Sequence, residues 1–217
     1  MWSESYNEVE INPVNMGELA QNVYERMNLF GIEELPVVED CMYKGLISEE
    51  QLLDAEPNLP WDHSIKELKT VCITENQHVA EAIQLMKTFK VSIIPVVDVN
   101  QHYQSVITKQ GLFNYLSEDL MFSERGSILV LSIQKRDYSL TEISRLVESE
   151  ASYILGVSIR NIFDRLEVTL KLGTDDLSKI IATFERLGYT VAQSYVEGNF
   201  ESSYQDRYDY FLNYLNV

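Results

Sequence analysis

An internal repeat in the first half of the chain constrains its fold more than any other sequence feature. Residues 24–38 align with residues 83–97 at an offset of 59, and after one inserted residue the alignment continues at an offset of 60. The matched pairs are Met27 with Met86, Phe30 with Phe89, Leu35 with Ile94, Pro36 with Pro95, Val37 with Val96, Val38 with Val97, Ile47 with Ile107, Ser48 with Thr108 and Leu52 with Leu112. Because most shared positions are apolar, the sequence predicts two copies of one small fold with equivalent cores.

Both copies show the same succession of local signals. The helical periodicity is carried by Leu19, Val23, Met27 and Phe30 in the first copy and by Val79, Ala82, Ile83, Met86 and Phe89 in the second. An apolar strand follows at residues 35–38 and 93–97, then a polar turn, then a second strand at residues 44–47 and 104–107. Ser48 and Thr108 stand where an N-cap opens a further helix. Each copy is therefore expected to combine a strand, a helix, a strand pair and a second helix.

These motifs resemble a tandem pair of CBS domains, the cystathionine-β-synthase regulatory module. The resemblance is carried by Leu35-Pro36-Val37-Val38, Gly45-Leu46-Ile47-Ser48, Ile73-Thr74 and Val79-Ala80-Glu81-Ala82. It implies one CBS domain at residues 8–56, a linker at 57–70 and a second CBS domain at 71–120, a pairing known as a Bateman module. It further implies a non-catalytic sensor that holds an adenosine-containing ligand, such as an adenine nucleotide or S-adenosylmethionine, between the two copies.

The ligand motif of this family begins with a Ser or Thr that caps a helix and ends three residues later with an Asp that binds ribose. Copy one has Ser48 and Gln51 at these places, and copy two has Thr108 and Gly111. Ser-x-x-Gln is also a capping box, which gives Ser48 and Gln51 a purely structural alternative. Lys109 beside Thr108 favours an anion, so copy two is the better candidate. Under the resemblance, Ile94 and Pro95 are expected to line the pocket for the base.

The second half of the chain has a different pattern of elements. Strands are predicted at residues 127–133, 152–160, 165–172 and 189–195, and helices at 139–148 and 175–187. The order βαββαβ is that of ferredoxin-like folds. Ser139-Leu140-Thr141-Glu142 predicts a capping box at the first helix, and Thr174 with Asp175 and Asp176 predicts the start of the second.

This half resembles an ACT domain, the amino-acid-sensing module of metabolic enzymes, over residues 126–197. The segment from Lys135 to Ile143 carries the resemblance, with Tyr138-Ser139 where the family usually has Pro-Gly. Two CBS copies followed by an ACT-like unit resemble the acetoin-utilisation-type CBS–ACT proteins and, more closely, an uncharacterised group of CBS proteins from Bacteroidetes. The closer resemblance is carried by Gly126-Ser127-Ile128, Asp137-Tyr138-Ser139-Leu140, Thr183-Phe184-Glu185-Arg186, Asp206-Arg207-Tyr208 and Tyr214-Leu215-Asn216.

A final amphipathic helix is predicted at residues 203–216. Tyr204, Tyr208, Phe211 and Leu215 are spaced 4, 3 and 4 residues apart, which places them on one helical stripe. This stripe suits packing either on its own domain or on a partner subunit. Because CBS pairs and ACT-like sheets commonly dimerise, we expect a homodimer.

The net charge of the chain makes some classes of partner less favourable than others. It holds 34 acidic and 17 basic residues, a net charge of −17, which disfavours nucleic acid and anionic membrane surfaces as partners. Residues 1–126 account for −13 of this charge. Within them, Glu49 and Glu50 disfavour phosphate at the copy-one motif. The N-terminal stretch lacks the basic residues of a signal peptide, and Cys41 and Cys72 form no metal or redox motif, so we expect a cytoplasmic protein.

No arrangement in the sequence predicts catalysis or metal binding. His63, His78 and His102 lack ligand spacing, and neither a phosphate-binding loop nor a nucleophile elbow is present. The expectation is therefore a mixed α/β protein without catalytic or metal-binding residues, composed of a Bateman module, a βαββαβ domain and a C-terminal helix. Two functions remain open. One is a sensor that relays small-molecule binding to the ACT-like domain and so to an unidentified protein target, and the other is a structural or partner-binding protein with degenerate ligand sites.

Overall fold

A computed structural model describes residues 11–196 of the chain. It shows a mixed α/β protein that divides into two compact units, with the boundary between Ser117 and Glu118. The predicted helix at residues 203–216 lies outside the described residues. Among residues 11–196, no helix is both long and apolar enough to cross a membrane.

The first unit begins with copy one of the repeat. Its elements are β1 (Val14–Asn15), α1 (Ala20–Phe30), β2 (Glu34–Glu39), β3 (Met42–Ser48) and α2 (Glu49–Leu53). The strands form a sheet of order β1-β2-β3, in which β1 pairs parallel to β2 and β2 pairs antiparallel to β3. A single 3-10 turn at Trp61–His63 lies in the segment that leads to copy two.

Copy two repeats this architecture. Its elements are β4 (Ile73–Thr74), α3 (Val79–Phe89), β5 (Ile93–Val97), β6 (Tyr103–Thr108) and α4 (Lys109–Ser117), with sheet order β4-β5-β6. The strand registers match across the copies: Leu35 pairs with Ile47, and Ile94 pairs with Ile107. Even the register shift recurs, after Val37 in one copy and after Val96 in the other. The predicted repeat is therefore confirmed at the level of single residue pairs.

The two copies are joined by hydrogen bonds that obey the same repeat. The Tyr43 hydroxyl donates to the Val71 carbonyl at 2.8 Å, and the Tyr103 hydroxyl donates to the Ile11 carbonyl at 3.3 Å. Each tyrosine thus binds the backbone that precedes the first strand of the other copy. Burial raises the pKa of Tyr43 above its usual value, and Cys72 and Tyr103 nearby add to this effect. One continuous apolar core, which includes Met27, Leu35, Trp61, Met86 and Ile94, spans both copies.

The second unit is a four-stranded antiparallel sheet covered by two helices. Its elements are α5 (Leu120–Ser123), β7 (Ser127–Gln134), α6 (Leu140–Ser149), β8 (Ile154–Ile162), β9 (Arg165–Leu172), α7 (Ser178–Arg186) and β10 (Thr190–Tyr195), with a 3-10 turn at Lys135–Asp137. The sheet order is β10-β7-β9-β8, and every neighbouring pair is antiparallel. After α5, the elements follow the predicted βαββαβ order.

The core of this unit lies between the sheet and its helices. Alternate residues of β7 and β9 pack against α6 and α7, and the fully buried members include Leu129, Leu131, Val168, Leu170, Ile143 and Phe184. The predicted helix at 175–187 begins later, at Ser178. The reason is local: Thr174 Oγ1 accepts the Asp176 N–H and Asp176 Oδ1 accepts the Ser178 N–H, so these side chains form successive turns before the helix. The predicted strand at 152–160 likewise lies two residues further on, at Ile154–Ile162.

Candidate functional site

A cavity of about 440 Å³ lies within the first unit and is lined by residues of both copies. Copy one contributes the end of α1 and the loop that follows it, and copy two contributes Ser92 and the start of α4. The lining residues are Ile11, Leu29, Phe30, Gly31, Ile32, Glu33, Ser92, Thr108, Lys109, Gln110, Gly111 and Asn114. The site therefore depends on the packing of the two copies against each other.

Thr108 and Lys109 form one wall of the cavity at the start of α4. Thr108 ends β6, and its Oγ1 accepts the Gly111 N–H at 2.9 Å, which confirms the predicted cap. The Lys109 N–H donates to the Ser92 carbonyl at 3.1 Å, and this bond fixes the first residue of the helix. The Lys109 side chain is exposed, which leaves its ammonium group free to contact a ligand. The positive end of the helix and this ammonium both favour an anionic group.

The opposite wall of the cavity belongs to copy one, where the chain turns sharply after α1. Gly31 closes the helix with a φ of 63°, a left-handed conformation that glycine adopts without steric cost. The Glu33 N–H then donates to Ser92 Oγ at 3.2 Å, so the copy-one wall is tied directly to copy two. Leu29, Phe30 and Ile32 make much of this wall apolar.

A buried carboxyl group supports this junction from behind. Glu34 is 4% exposed, and its Oε2 accepts hydrogen bonds from the Ser92 N–H at 2.8 Å and from the Ser92 hydroxyl. Ser92 itself is 7% exposed. Because unpartnered buried polar groups are costly, this arrangement holds the backbone of both walls in one position.

Only some of the predicted site residues lie in this cavity. Thr108 and Lys109 line it, whereas Ile94 and Pro95 are buried in β5 and are not among its lining residues. The reason is topological, because β5 is the central strand of its sheet and all five of its residues are buried. Ser92, Glu33, Phe30 and Asn114 line the cavity without having been predicted. The repeat offset of 59 relates Glu33 to Ser92, and this equivalence could have identified both residues.

In copy one, Ser48 and Gln51 form the capping box that the sequence allowed as their structural alternative. Ser48 Oγ accepts the Gln51 N–H at 3.3 Å, and Gln51 Oε1 accepts the Ser48 N–H at 3.0 Å. The Gln51 amide also donates to the Glu67 carbonyl at 2.8 Å. Both ends of the Gln51 side chain are therefore engaged within the protein, and neither Ser48 nor Gln51 lines the cavity between the copies.

The second unit has its own cavity of about 390 Å³, where the end of β7 meets the start of α6 and the turn before β10. Ser139 caps α6 by accepting the Glu142 N–H at 3.3 Å, which is the N-cap half of the predicted capping box. The Tyr189 hydroxyl lies near the Glu142 carboxylate. Burial of the Tyr189 hydroxyl raises its pKa to about 12, and the neighbouring Glu142 carboxylate adds to this effect. Within residues 11–196, no three His, Cys, Asp or Glu side chains are placed to hold a metal ion.

Comparison with known proteins identifies part of the first unit. The sequence profile of the CBS domain matches residues 65–118, whereas a search of curated proteins gave no match. Similar solved structures include a CBS domain pair/ACT domain protein from Thermotoga maritima, with 18% identity over 52% of this chain and 93% of that chain at a TM-score of 0.46. The cytosolic domain of the Mg²⁺ channel MgtE in complex with ATP has 20% identity over 51% of this chain and 50% of that chain, at a TM-score of 0.41. CBSX2 in complex with AMP has 15% identity over 49% of this chain and 87% of that chain, at a TM-score of 0.42. A CBS domain is present in this chain at residues 65–118.

Proposed function

We propose that the chain is a non-catalytic regulatory protein of the cytoplasm that senses a small adenosine-containing molecule in the cavity between its two CBS copies. The observation that carries the proposal is the position of Thr108 and Lys109, which open α4 inside a cavity lined by both copies. A ligand seated there would contact both copies at once. It would therefore favour whichever arrangement of the two binds it better.

The chemistry of the two walls supports a ligand with an apolar ring and a polar or anionic end. Leu29, Phe30 and Ile32 offer apolar contact to a flat base. Lys109 and the N–H groups at the start of α4 suit a phosphate or carboxylate. Because Lys109 and Glu33 are the charged lining residues, one of each sign, a singly charged ligand is expected to bind better than a triphosphate.

A second candidate function is a structural or partner-binding role with degenerate ligand sites. It is favoured by the engagement of Gln51 in the capping box and with the Glu67 carbonyl. It is also favoured by Gly111, which has no side chain to hold a ribose. Under this alternative the CBS pair serves as a rigid scaffold and the cavity stays empty of ligand.

The βαββαβ unit is proposed to be an ACT-like domain that receives the signal from the CBS pair. The support is its element order and the residues from Lys135 to Ile143 at the first strand–helix junction. The amide exchange of residues 118–196 on ligand addition tests the relay. Slowed exchange in the CBS pair with unchanged exchange in the second unit would contradict a relay while leaving ligand binding intact.

Ligand binding itself is tested by thermal unfolding of the full chain with adenosine, AMP, ATP, S-adenosylmethionine and single amino acids. At a ligand concentration of 100 Kd, binding stabilises the folded state by about 2.7 kcal/mol. That stabilisation raises the melting temperature of a unit of this size by roughly 10 °C or more. If none of these compounds raises the melting temperature at millimolar concentration, the sensor proposal fails and the scaffold alternative remains.

Two variants locate the binding site. Lys109→Ala is expected to weaken binding of an anionic ligand about tenfold or more, because it removes the only cation that lines the cavity among residues 11–196. Lys90→Ala is the matched control, since Lys90 is an exposed lysine outside the lining residues and its loss should leave the affinity unchanged. Equal affinities for both variants would place the ligand elsewhere.

A further inference from the structure

The sheet of the second unit has a face that α6 and α7 leave uncovered. Those two helices pack on one side of the sheet, against Leu131, Leu170 and their neighbours. Because side chains alternate along a strand, the residues between these point to the other side, which we call the open face. The strand register gives its row nearest the end of β10 as Tyr195, Ile128, Lys171 and Gly156, one residue from each strand.

The short helix α5 covers one border of the open face. A Cβ added to Gly156 would lie 2.6 Å from the Met121 Cβ, so α5 sits directly over β8 in this row. The other apolar side chains of α5 remain exposed, Leu120 at 51% and Phe122 at 64%. Two large apolar side chains at these exposures, at the border of a sheet face, indicate a surface that more chain covers.

The opposite border of the open face is also apolar. Tyr195 ends the edge strand β10, and its side chain is 48% exposed. Between the two borders, the inner strand β7 contributes Ile128, which is half-buried, and Val130, which is buried. An apolar band therefore runs across the sheet from Tyr195 to α5, and its exposed area lies at the two ends.

The open face is basic, although the chain as a whole is acidic. Its strands carry Arg160, Arg165 and Lys171 against Glu167 on this side, a net charge of +2. Glu167 is already engaged by Arg160 in an ion pair. Lys171 lies within the apolar band, on the strand next to Gly156. A segment that covers this face is therefore expected to be both apolar and acidic.

We propose that residues 197–217 of the same chain are this segment and that they dock on the open face as a helix. The predicted helix at 203–216 has an apolar stripe, which includes Phe211 and Leu215. The charge of the segment is −3, from Glu197, Glu201, Asp206 and Asp209 against Arg207. The segment thus has both properties that the open face requires.

The segment begins at the border of the open face and is long enough to cross it. Val196, the last described residue, directly follows Tyr195. Residues 197–202 reach up to about 20 Å when extended, and a helix over residues 203–216 is about 21 Å long. The three strand spacings from β10 to β8 amount to about 14 Å. The apolar stripe can therefore contact Tyr195 and Phe122 at the same time.

Attachment to β10 favours the chain's own segment over one from another molecule. A linker as short as residues 197–202 holds the helix beside the open face at an effective concentration of about 1 mM or more. A segment from a second molecule reaches such a concentration only when the protein itself is that concentrated. Docking within one chain therefore predominates at micromolar protein.

Alkylation of a thiol on the open face tests the docking in the full chain. Ser158→Cys places the thiol one row further along this face, beside Thr169, in a Cys41→Ser background that removes the exposed native thiol. Phe211→Asp puts a charge into the apolar stripe and should raise the rate of alkylation by iodoacetamide at least about fivefold. Leu215→Asp, a second variant of the stripe, should have the same effect.

Two controls separate undocking of the segment from other effects. Tyr210→Asp makes the same kind of change on the other side of the predicted helix and should leave the rate unchanged. Ser144→Cys places a half-buried thiol on α6, on the covered side of the sheet, and Phe211→Asp should not change its rate. Circular dichroism of each variant establishes that the chain stays folded.

Equal rates for Phe211→Asp and Tyr210→Asp would overturn the proposal, and so would an equal rise at the Ser144→Cys thiol. A mixing experiment distinguishes the chain's own segment from that of a second copy. An excess of chain with the native segment should not slow alkylation of the chain that carries Ser158→Cys and Phe211→Asp. A slower rate on mixing would show that the segment comes from another molecule and would refute docking within one chain.

Discussion

The hydrogen bonds of Ser92 should make this one hydroxyl a large contributor to the stability of the first unit. Ser92→Ala removes the bond from the hydroxyl to the buried Glu34 carboxylate and the bond from the Glu33 N–H to Ser92 Oγ. A hydrogen bond to a charged group contributes about 1.5–3 kcal/mol, and the part-buried bond from the Glu33 N–H contributes about 0.5–1 kcal/mol. The expected loss is therefore about 2–4 kcal/mol of the free energy of unfolding.

Tryptophan fluorescence during urea unfolding isolates this effect. Both tryptophans lie in the first 117 residues, and Trp61 is 2% exposed with its indole N–H bonded to the Asn15 carbonyl at 2.9 Å. The fluorescence transition therefore reports the first unit. Ser64→Ala is the matched control, because the exposed Ser64 should change stability by no more than about 0.5 kcal/mol.

A double-mutant cycle with Glu34→Ala tests whether the bond between Ser92 and Glu34 causes most of this loss of stability. Once the carboxylate is gone, Ser92→Ala should cost at least about 1 kcal/mol less than it does in the wild-type chain. A loss below about 0.5 kcal/mol for Ser92→Ala, or strict additivity in the cycle, would refute the view that this pair holds the two copies together.

Two further predictions concern the second unit. Gly126→Ala should destabilise this unit by about 3 kcal/mol or more, because a Cβ at this φ of 149° would lie 2.2 Å from the Leu172 carbonyl oxygen. The control Gly188→Ala has a φ of 84° and open space around the new Cβ, so it should cost only about 1–2 kcal/mol. Urea unfolding followed by circular dichroism measures both losses, and equal losses would contradict the steric explanation. The raised pKa of Tyr189 predicts that stability falls as the pH rises from about 10 to about 12, since the unfolded tyrosine ionises near 10 while the folded one stays protonated beside Glu142. Tyr189→Phe should flatten that decline, and an unchanged pH dependence would show that the Tyr189 environment does not cause it.

The fold of both units could be predicted from the sequence because its signals are local. Apolar periodicity placed α1 and α3, and the polar turns placed the hairpins of β2 with β3 and of β5 with β6. Ser48, Thr108 and Ser139 were correctly predicted as helix caps, since a cap requires only a side-chain oxygen two or three residues before the N–H that it binds. The start of α7 was misplaced because Asp176 could equally open a helix or close a turn, and its contact with Ser178 selects the turn.

The site was predicted less completely because its residues come together only through packing. Thr108 and Lys109 carried a local signal, a capped helix start with a cation. Ile94 and Pro95 looked equally suitable, yet the strands on both sides of β5 and the shared core bury them. Ser92 and Glu33 lack a motif, and they reach the cavity because one copy packs against the other.

The sequence alone determined that this chain contains two related copies and a separate βαββαβ unit, because periodicity, caps and turns act over a few residues and leave their pattern in the order of side chains. The tertiary structure alone decided which side chains face the cavity and that Glu34 is buried against Ser92. Those features depend on contacts between residues about 60 positions apart. No local pattern encodes them, since they arise only when two apolar surfaces exclude water together.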